Sequence, residues 1–380
     1  MTPERPRRAD ATDAQVETPK AVSRVDVPSA LPDPGPAPLY AALDLGTNSC
    51  RMLIAQPLGS QFSIIDSFSK SVQLGVGLEA SGRLSRASMG RTIQALRICE
   101  KKIEKHGVKR MRLVATEACR RARNARDFIR QVRRETGLAL EIIAPEEEAR
   151  LAVISCAPLV NPTTEQLLVV DIGGGSTELV WIDLSAVAPA DRPKAIMRLH
   201  MGFNAQGEGA VARVVDWISV PLGVATLKDQ FIDVDDDAAR FALMSWFFEE
   251  NLASFSPYNA DNPREGFQII GTSGTVTTVA ASFLNLKRYD RTKVDGLQMT
   301  SDQIDLVIRE YLALGPEGRR TDPRIGRDRH ALIMSGSAIL QALMRIWPTD
   351  RLSVADRGLR EGLLYAQMSA DGVLADGPYT

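Results

Sequence analysis

The chain has 380 residues, 44% of them hydrophobic and 24% charged, with 46 Lys and Arg against 47 Asp and Glu. This composition is that of a globular protein with chain enough for two buried cores, and it excludes a disordered, fibrous or membrane-spanning class. A net charge of −1 gives no general attraction to nucleic acid or a membrane, so a polyanion would have to be bound by local clusters of charge.

Residues 1 to about 38 mix Pro, Ala, Asp and Arg and end in Leu31-Pro-Asp-Pro-Gly-Pro-Ala-Pro38. They can bury too little surface to offset their ordering entropy and are expected to be a disordered tail. No stretch reaches the roughly 18 apolar residues of a membrane span, and the N-terminus lacks the apolar core of a secretory signal. Cys50, Cys99, Cys119 and Cys156 are scattered, without a CxxC pair or histidines at metal spacing, which fits a reducing cytoplasm. Cys119, beside Arg120, reads as a bystander thiol, and His106, His200 and His330 lie outside every phosphate motif.

From Leu39 onward apolar strands alternate with amphipathic helices, an α/β pattern. The run Leu39-Tyr-Ala-Ala-Leu-Asp-Leu-Gly-Thr-Asn-Ser49 is echoed by Leu167-Leu-Val-Val-Asp-Ile-Gly-Gly-Gly-Ser176. Each is an apolar strand, an Asp, one aliphatic residue, Gly, two variable positions and Ser, which suggests two related domains facing one another. In the first copy Gly46 permits a tight turn at which Asp44, Thr47, Asn48 and Ser49 could grip phosphate; a plain Asx-type turn is the alternative.

Next along the chain come Arg97, Lys101, Lys102, Lys105, Lys109, Arg110 and Arg112, then six more arginines between Arg121 and Arg134. Singly these read as solvated helix faces; collectively they suggest a basic track. In Glu141-Ile-Ile-Ala-Pro-Glu-Glu-Glu148 a short strand turns into a helix started by Pro145, with three acids in its first turn. Acids there ordinarily serve the helix dipole.

The strongest local signal is Asp171-Ile-Gly-Gly-Gly-Ser-Thr-Glu178. Glycines let several N–H groups converge on an anion. The Walker and dinucleotide patterns both fail here, because no Gly-Lys-Ser/Thr follows and no helix begins at Glu178. That leaves a phosphate-gripping hairpin at Gly173, Gly174, Gly175 and Ser176, against a tight turn with incidental acids. A third loop, Gly271, Thr272, Ser273 and Gly274, joins a strand to a helix whose dipole can attract an anion; the alternative is a turn closed by a Ser/Thr cap.

Together the three loops resemble the actin, hexokinase and heat-shock chaperone ATPase superfamily. Within it the chain resembles one branch more closely, the exopolyphosphatase and guanosine pentaphosphate phosphohydrolase family, from Tyr40 to Tyr365. The resemblance includes Gln73-Leu-Gly-Val-Gly-Leu78, Gly82-Arg-Leu-Ser85, Ala115-Thr-Glu-Ala-Cys-Arg120, Glu147-Glu-Ala-Arg150 and Gly358-Leu-Arg-Glu-Gly362. It implies two ribonuclease-H-like (actin-like) α/β domains, at 39–150 and 151–351, with an active cleft between them and a segment 352–380 returning to the first. Glu148 matches the family's catalytic glutamate, which activates the attacking water; Glu147 is the other candidate. Arg120 matches the arginine of Thr-x-x-x-Arg and would neutralise the transferred phosphoryl group, while Asp171 and Glu178 would hold Mg2+.

Polyphosphate or guanosine pentaphosphate is the implied substrate, with no nucleic acid or membrane partner, a homodimer left open and a cytoplasmic location. Two departures are noted. Further helical domains of full-length relatives are not expected here, and Thr226 stands where many relatives place an arginine. The rival readings are an ATP-dependent sugar or acetate kinase and a non-catalytic nucleotide sensor, both of which need an adenosine pocket.

Overall fold

Two mixed sheets organise the computed structural model, which describes residues 37–203, 211–259, 266–326 and 329–374. The tail expected at residues 1–38 lies almost wholly outside the described residues. The first sheet is built from β1 (Tyr40–Leu45), β2 (Ser49–Leu58), β3 (Gln61–Ser71), β4 (Arg110–Ala115) and β5 (Glu141–Ile142). Between β3 and β4 run α1 (Leu78–Ser81) and α2 (Arg86–Lys105); α3 (Glu117–Arg121) and α4 (Ala125–Thr136) precede β5. The helix α5 (Pro145–Cys156) then leads to β6 (Gln166–Ile172) and β7 (Thr177–Asp183) of the second sheet.

The rest of the second half follows as α6 (Arg192–Arg198), β8 (Arg213–Val220), α7 (Val224–Gln230), α8 (Asp237–Glu250), β9 (Phe267–Thr272), α9 (Gly274–Phe283), α10 (Arg291–Val294), β10 (Gln298–Met299), α11 (Ser301–Thr321), α12 (Ile333–Ile346), β11 (Leu352–Ala355) and α13 (Leu359–Ala370). Strand orders are β3-β2-β1-β4-β5 and β10-β11-β9-β6-β7-β8. Each sheet has a central strand (β1, β6) with an antiparallel hairpin partner on one side (β2, β7) and a parallel strand on the other (β4, β9). This shared arrangement is the structural content of the sequence echo.

Central strands buried on both faces read as continuous apolar runs, as in Tyr40–Leu43 and Leu167–Val170, all at most 2% exposed. One core packs α2 and α4 against the outer face of the first sheet, and another packs α8, α9, α11 and α12 against the outer face of the second. A third lies between the sheets, where α5 and α13 are sandwiched. The crossing of α5 and α13 is so close that a Cβ at Gly362 would lie 2.1 Å from the Leu151 carbonyl oxygen. One expectation needs correction: Leu352–Ala355, counted with the returning segment, pairs with β9 in the second sheet, and it is α13 beyond it that packs on β1 and β2.

Candidate active site

Both echoed hairpins turn at the ends of their sheets, and the two turns meet. In the first, Gly46 N–H donates to Ser49 O (2.9 Å), Val72 and Gln73 donate to Asn48 O (2.9 Å each), and Gly75 donates to Thr47 O (2.9 Å). In the second, Gly173 N–H donates to Ser176 O (2.9 Å), while Val224 and Ala225 at the start of α7 donate to the carbonyls of Gly173 (2.9 Å) and Gly174 (2.8 Å). Thr226 Oγ1 accepts from Gly223 N–H (2.7 Å) and donates to the Gly175 carbonyl (3.1 Å). The carbonyls are therefore held on the far side, which leaves the amides of Thr47, Asn48, Gly174 and Gly175 with no backbone acceptor among the described residues. Such sets of free amides suit an anion.

Close approach explains the glycines. A Cβ on Gly174 would stand 3.3 Å from Asn48 N, and one on Gly175 would stand 2.4 Å from Thr47 Oγ1 and 2.9 Å from Glu117 Cγ. The third loop is different. Its Ser273, at φ 154°, accepts from the N–H groups of Thr275 (3.1 Å) and Val276 (3.2 Å), the cap that sequence reading held as the alternative. Gly271 and Thr272 end β9, with Thr272 beside Asp171 in register, and Gly274 O accepts from Arg329 Nη1 (3.1 Å).

Strand register places the acids. Asp171 faces Glu178 across β6 and β7, and Asp44 faces Arg51 across β1 and β2. Glu178 is 1% exposed; its Oε1 accepts from Ser219 Oγ (2.7 Å), and its buried Oε2 has no hydrogen-bond donor among the described residues. Glu148, on the first turn of α5, holds Arg120 Nη1 at 2.6 Å through Oε2. Arg120 also bonds Glu117 Oε2 through Nε (3.0 Å) and the Ile143 carbonyl (3.2 Å). Glu147 turns the other way, to Arg112 (2.7 Å) and Arg150 (3.3 Å).

Burial and mutual repulsion raise the carboxyls of Asp44, Glu148, Asp171 and Glu178. Asp171 is pushed up to about 8 by burial and by Glu148 and Asp44, and Glu178 to about 7 by burial and Asp171. Glu148 rises through burial and Glu178, against the pull of Arg120, and Asp44 rises through burial, against Arg51 and Arg360. Burial works against the charge on Arg120, but Glu148 and Glu117 outweigh it and hold the guanidinium firmly protonated. Such a concentration of raised carboxyls is a place that favours a cation or a proton.

Sequence reading missed Arg51, Glu117 and Ser219. Arg51 was recoverable, because a hairpin pairing Leu45 with Cys50 must pair Asp44 with Arg51. Ser219 lies on β8, whose pairing with β7 no local signal announces. Cys119 is buried and its thiol is pushed up to about 12 by that burial, as befits a bystander. Along the basic run, Arg97 pairs with Glu135, Lys102 with Asp66, Arg110 with Asp371 and Arg130 with Asp127, so much of the track is neutralised. All four cysteines are free thiols, and no helix among the described residues is long and apolar enough to cross a membrane.

The guanosine-5'-triphosphate,3'-diphosphate pyrophosphatase of Aeromonas hydrophila is 29% identical over 329 residues, which cover 87% of this chain and 59% of that protein. The chain thus spans less than two thirds of the curated relatives it matches. The crystal structure of the Aquifex aeolicus member of the Ppx/GppA family is 31% identical, with a TM-score of 0.69 over 88% of this chain and 99% of that one. An exopolyphosphatase from Cytophaga hutchinsonii, 21% identical with a TM-score of 0.73 over 88% of this chain and 98% of that one, shares the fold. These likenesses bear out the expected pair of actin-like α/β halves. The model of the Ppx/GppA phosphatase family matches residues 53–371, and the chain belongs to that family.

Proposed function

We propose that the chain is a phosphohydrolase that releases terminal orthophosphate from inorganic polyphosphate, using water activated by Glu148. The observation that carries this reading is the set of free amides at Thr47, Asn48, Gly174 and Gly175, gathered by loops that touch one another, in a site that also holds Glu148, Asp171, Glu178 and Arg120. Phosphoryl transfer asks mainly for positioning and charge neutralisation, with a base to orient water. Glu148 Oε2 is engaged by Arg120, and its other oxygen remains for a water. A carboxyl raised by burial is a stronger base near neutral pH than an exposed one. Arg120, adjoining that base, is suited to the charge on the transferred group.

Asp171 and Glu178 fit Mg2+. They face each other, burial raises both, and Glu178 Oε2 is a buried acceptor without a donor. Among the described residues no three His, Cys, Asp or Glu side chains form a protein-made cage, and Mg2+ needs only one or two carboxylates beside water and phosphate oxygens. When bound, it would supply neutralising charge to substrate oxygens. A first-domain limit near residue 150, a second half that runs on through Leu352–Ala355 and a cytoplasmic location are part of this reading.

Guanosine pentaphosphate is the second reading, favoured by the activity named for the Aeromonas relative. Phosphate release from both substrates, side by side with Mg2+, tests the proposal. Faster release from polyphosphate is expected. Faster release from guanosine pentaphosphate would select the second reading, and transfer of ATP phosphate to an acceptor with no release from either would sink both.

A further inference from the structure

A group of exposed arginines on the first half has no acid partner among the described residues. Residues 80–99 carry Arg83, Arg86, Arg91 and Arg97 and no acid, and residues 118–126 carry Arg120, Arg121, Arg123 and Arg126 and no acid. The fold stitches these two segments together. Buried Asn124 accepts from Leu84 N–H (2.8 Å) and donates to the Leu84 carbonyl (3.0 Å), and Arg123 N–H donates to the Gly82 carbonyl (3.0 Å). Gly82, at φ 64°, lies so close under the Arg123 guanidinium that an added Cβ would stand 3.3 Å from Nε.

Arg83, Arg86, Arg123 and Arg126 are consequently exposed within two residues of one clamp, and none pairs with an acid among the described residues. The nearby acids are already engaged, Glu79 by Arg121 (2.6 Å) and Asp127 by Arg130. Arg121 and Glu79 also line the pocket that reaches Thr47, Asn48 and Gly175, so the arginine surface continues outward from the phosphate loops. Ordinary solvated helix faces balance both signs; here the adjoining acids Glu79 and Asp127 are each taken up by another arginine, so positive charge is in excess. Guanidinium groups match phosphate oxygens in geometry as well as charge.

We propose that Arg83, Arg86, Arg123 and Arg126 form a distal subsite for the phosphates of a long inorganic polyphosphate whose end occupies the cleft. The proposal rests on the phosphohydrolase reading for its choice of ligand, and its test separates the two. Binding of an end-labelled polyphosphate of about one hundred units and of tripolyphosphate should be measured for the wild-type chain and for Arg83→Glu/Arg123→Glu, alongside phosphate release. Long-chain affinity should fall roughly tenfold or more in the double variant, given the usual worth of exposed charge contacts, while tripolyphosphate affinity stays within about twofold. Arg83→Lys/Arg123→Lys should keep most long-chain affinity, and Lys101→Glu/Lys105→Glu, away from the clamp, should change little.

Unchanged long-chain binding in the charge-reversed protein would overturn the subsite. So would equal losses for long and short chains, because that result locates the damage in the cleft. Single-stranded RNA of matched charge displacing the long chain as well as unlabelled polyphosphate does would overturn it in favour of nucleic acid. Arginine-dependent long-chain binding without phosphate release from any chain would leave the subsite standing and remove the hydrolase reading instead.

Discussion

Glu147 and Glu148 are neighbours with the same side chain, and the first turn of α5 sends them to different surroundings. Glu147 is held by Arg112 and Arg150 (2.7 and 3.3 Å), whereas Glu148 is 8% exposed and joined to Arg120. No local pattern distinguishes them, because adjacent helical positions differ by about 100° in direction and what each meets depends on elements far along the chain. The glycines were legible for the opposite reason, since their need for close backbone approach shows wherever three stand in a row. For the proposed Mg2+ ligands, Asp171→Asn or Glu178→Gln should raise the Mg2+ concentration for half-maximal activity by roughly tenfold or more, because each change takes away a carboxylate charge. An unchanged Mg2+ titration in either folded variant would contradict their assignment.

At the scale of elements, hairpins and central strands were readable because apolar runs bounded by glycine turns have few other ways to fold. The limits of the second sheet were not, because Leu352–Ala355 is four residues long and its place beside β9 is fixed only by long-range pairing. The basic run was legible only in part, because a list of cations does not show which acids the fold brings to them. Two close approaches make sharp predictions. Gly362→Ala sets a methyl 2.1 Å from the Leu151 carbonyl oxygen, and because backbone is the obstacle, stability in urea should fall by about 3 kcal/mol. Gly175→Ala sets one against Thr47 Oγ1 at 2.4 Å and should abolish most phosphate release with a much smaller change in the urea midpoint. Full activity in Gly175→Ala would mean that the two loops need not meet.

For the whole molecule, the raised carboxyls link stability to pH. Asp171 and Glu178 titrate at about 8 and 7 when folded and near 4 when unfolded. The folded chain therefore holds protons that the unfolded chain releases, and their contribution to stability, complete below about pH 4, is lost as pH rises through about 7 to 8. In EDTA the Tm should be several degrees lower at pH 8 than at pH 5.5, on the order of what 1–2 kcal/mol produces in a chain of this size. Added Mg2+ should restore it at pH 8 and do little at pH 5.5. The Asp171→Asn/Glu178→Gln variant should flatten both responses; equal Mg2+ stabilisation at the two pH values would count against a metal bound by the ionised pair.

These effects converge on Glu148, which holds Arg120 and feels the charges of Glu178 and Asp44. The most direct test is single-turnover phosphate release from tripolyphosphate with Mg2+ by wild-type chain and Glu148→Gln, with bound substrate measured in the same samples. The amide cannot accept a proton, so release should slow by a factor of roughly 100 to 10,000 while substrate remains bound. Release at the wild-type rate by a folded Glu148→Gln protein would contradict the account and move the base elsewhere.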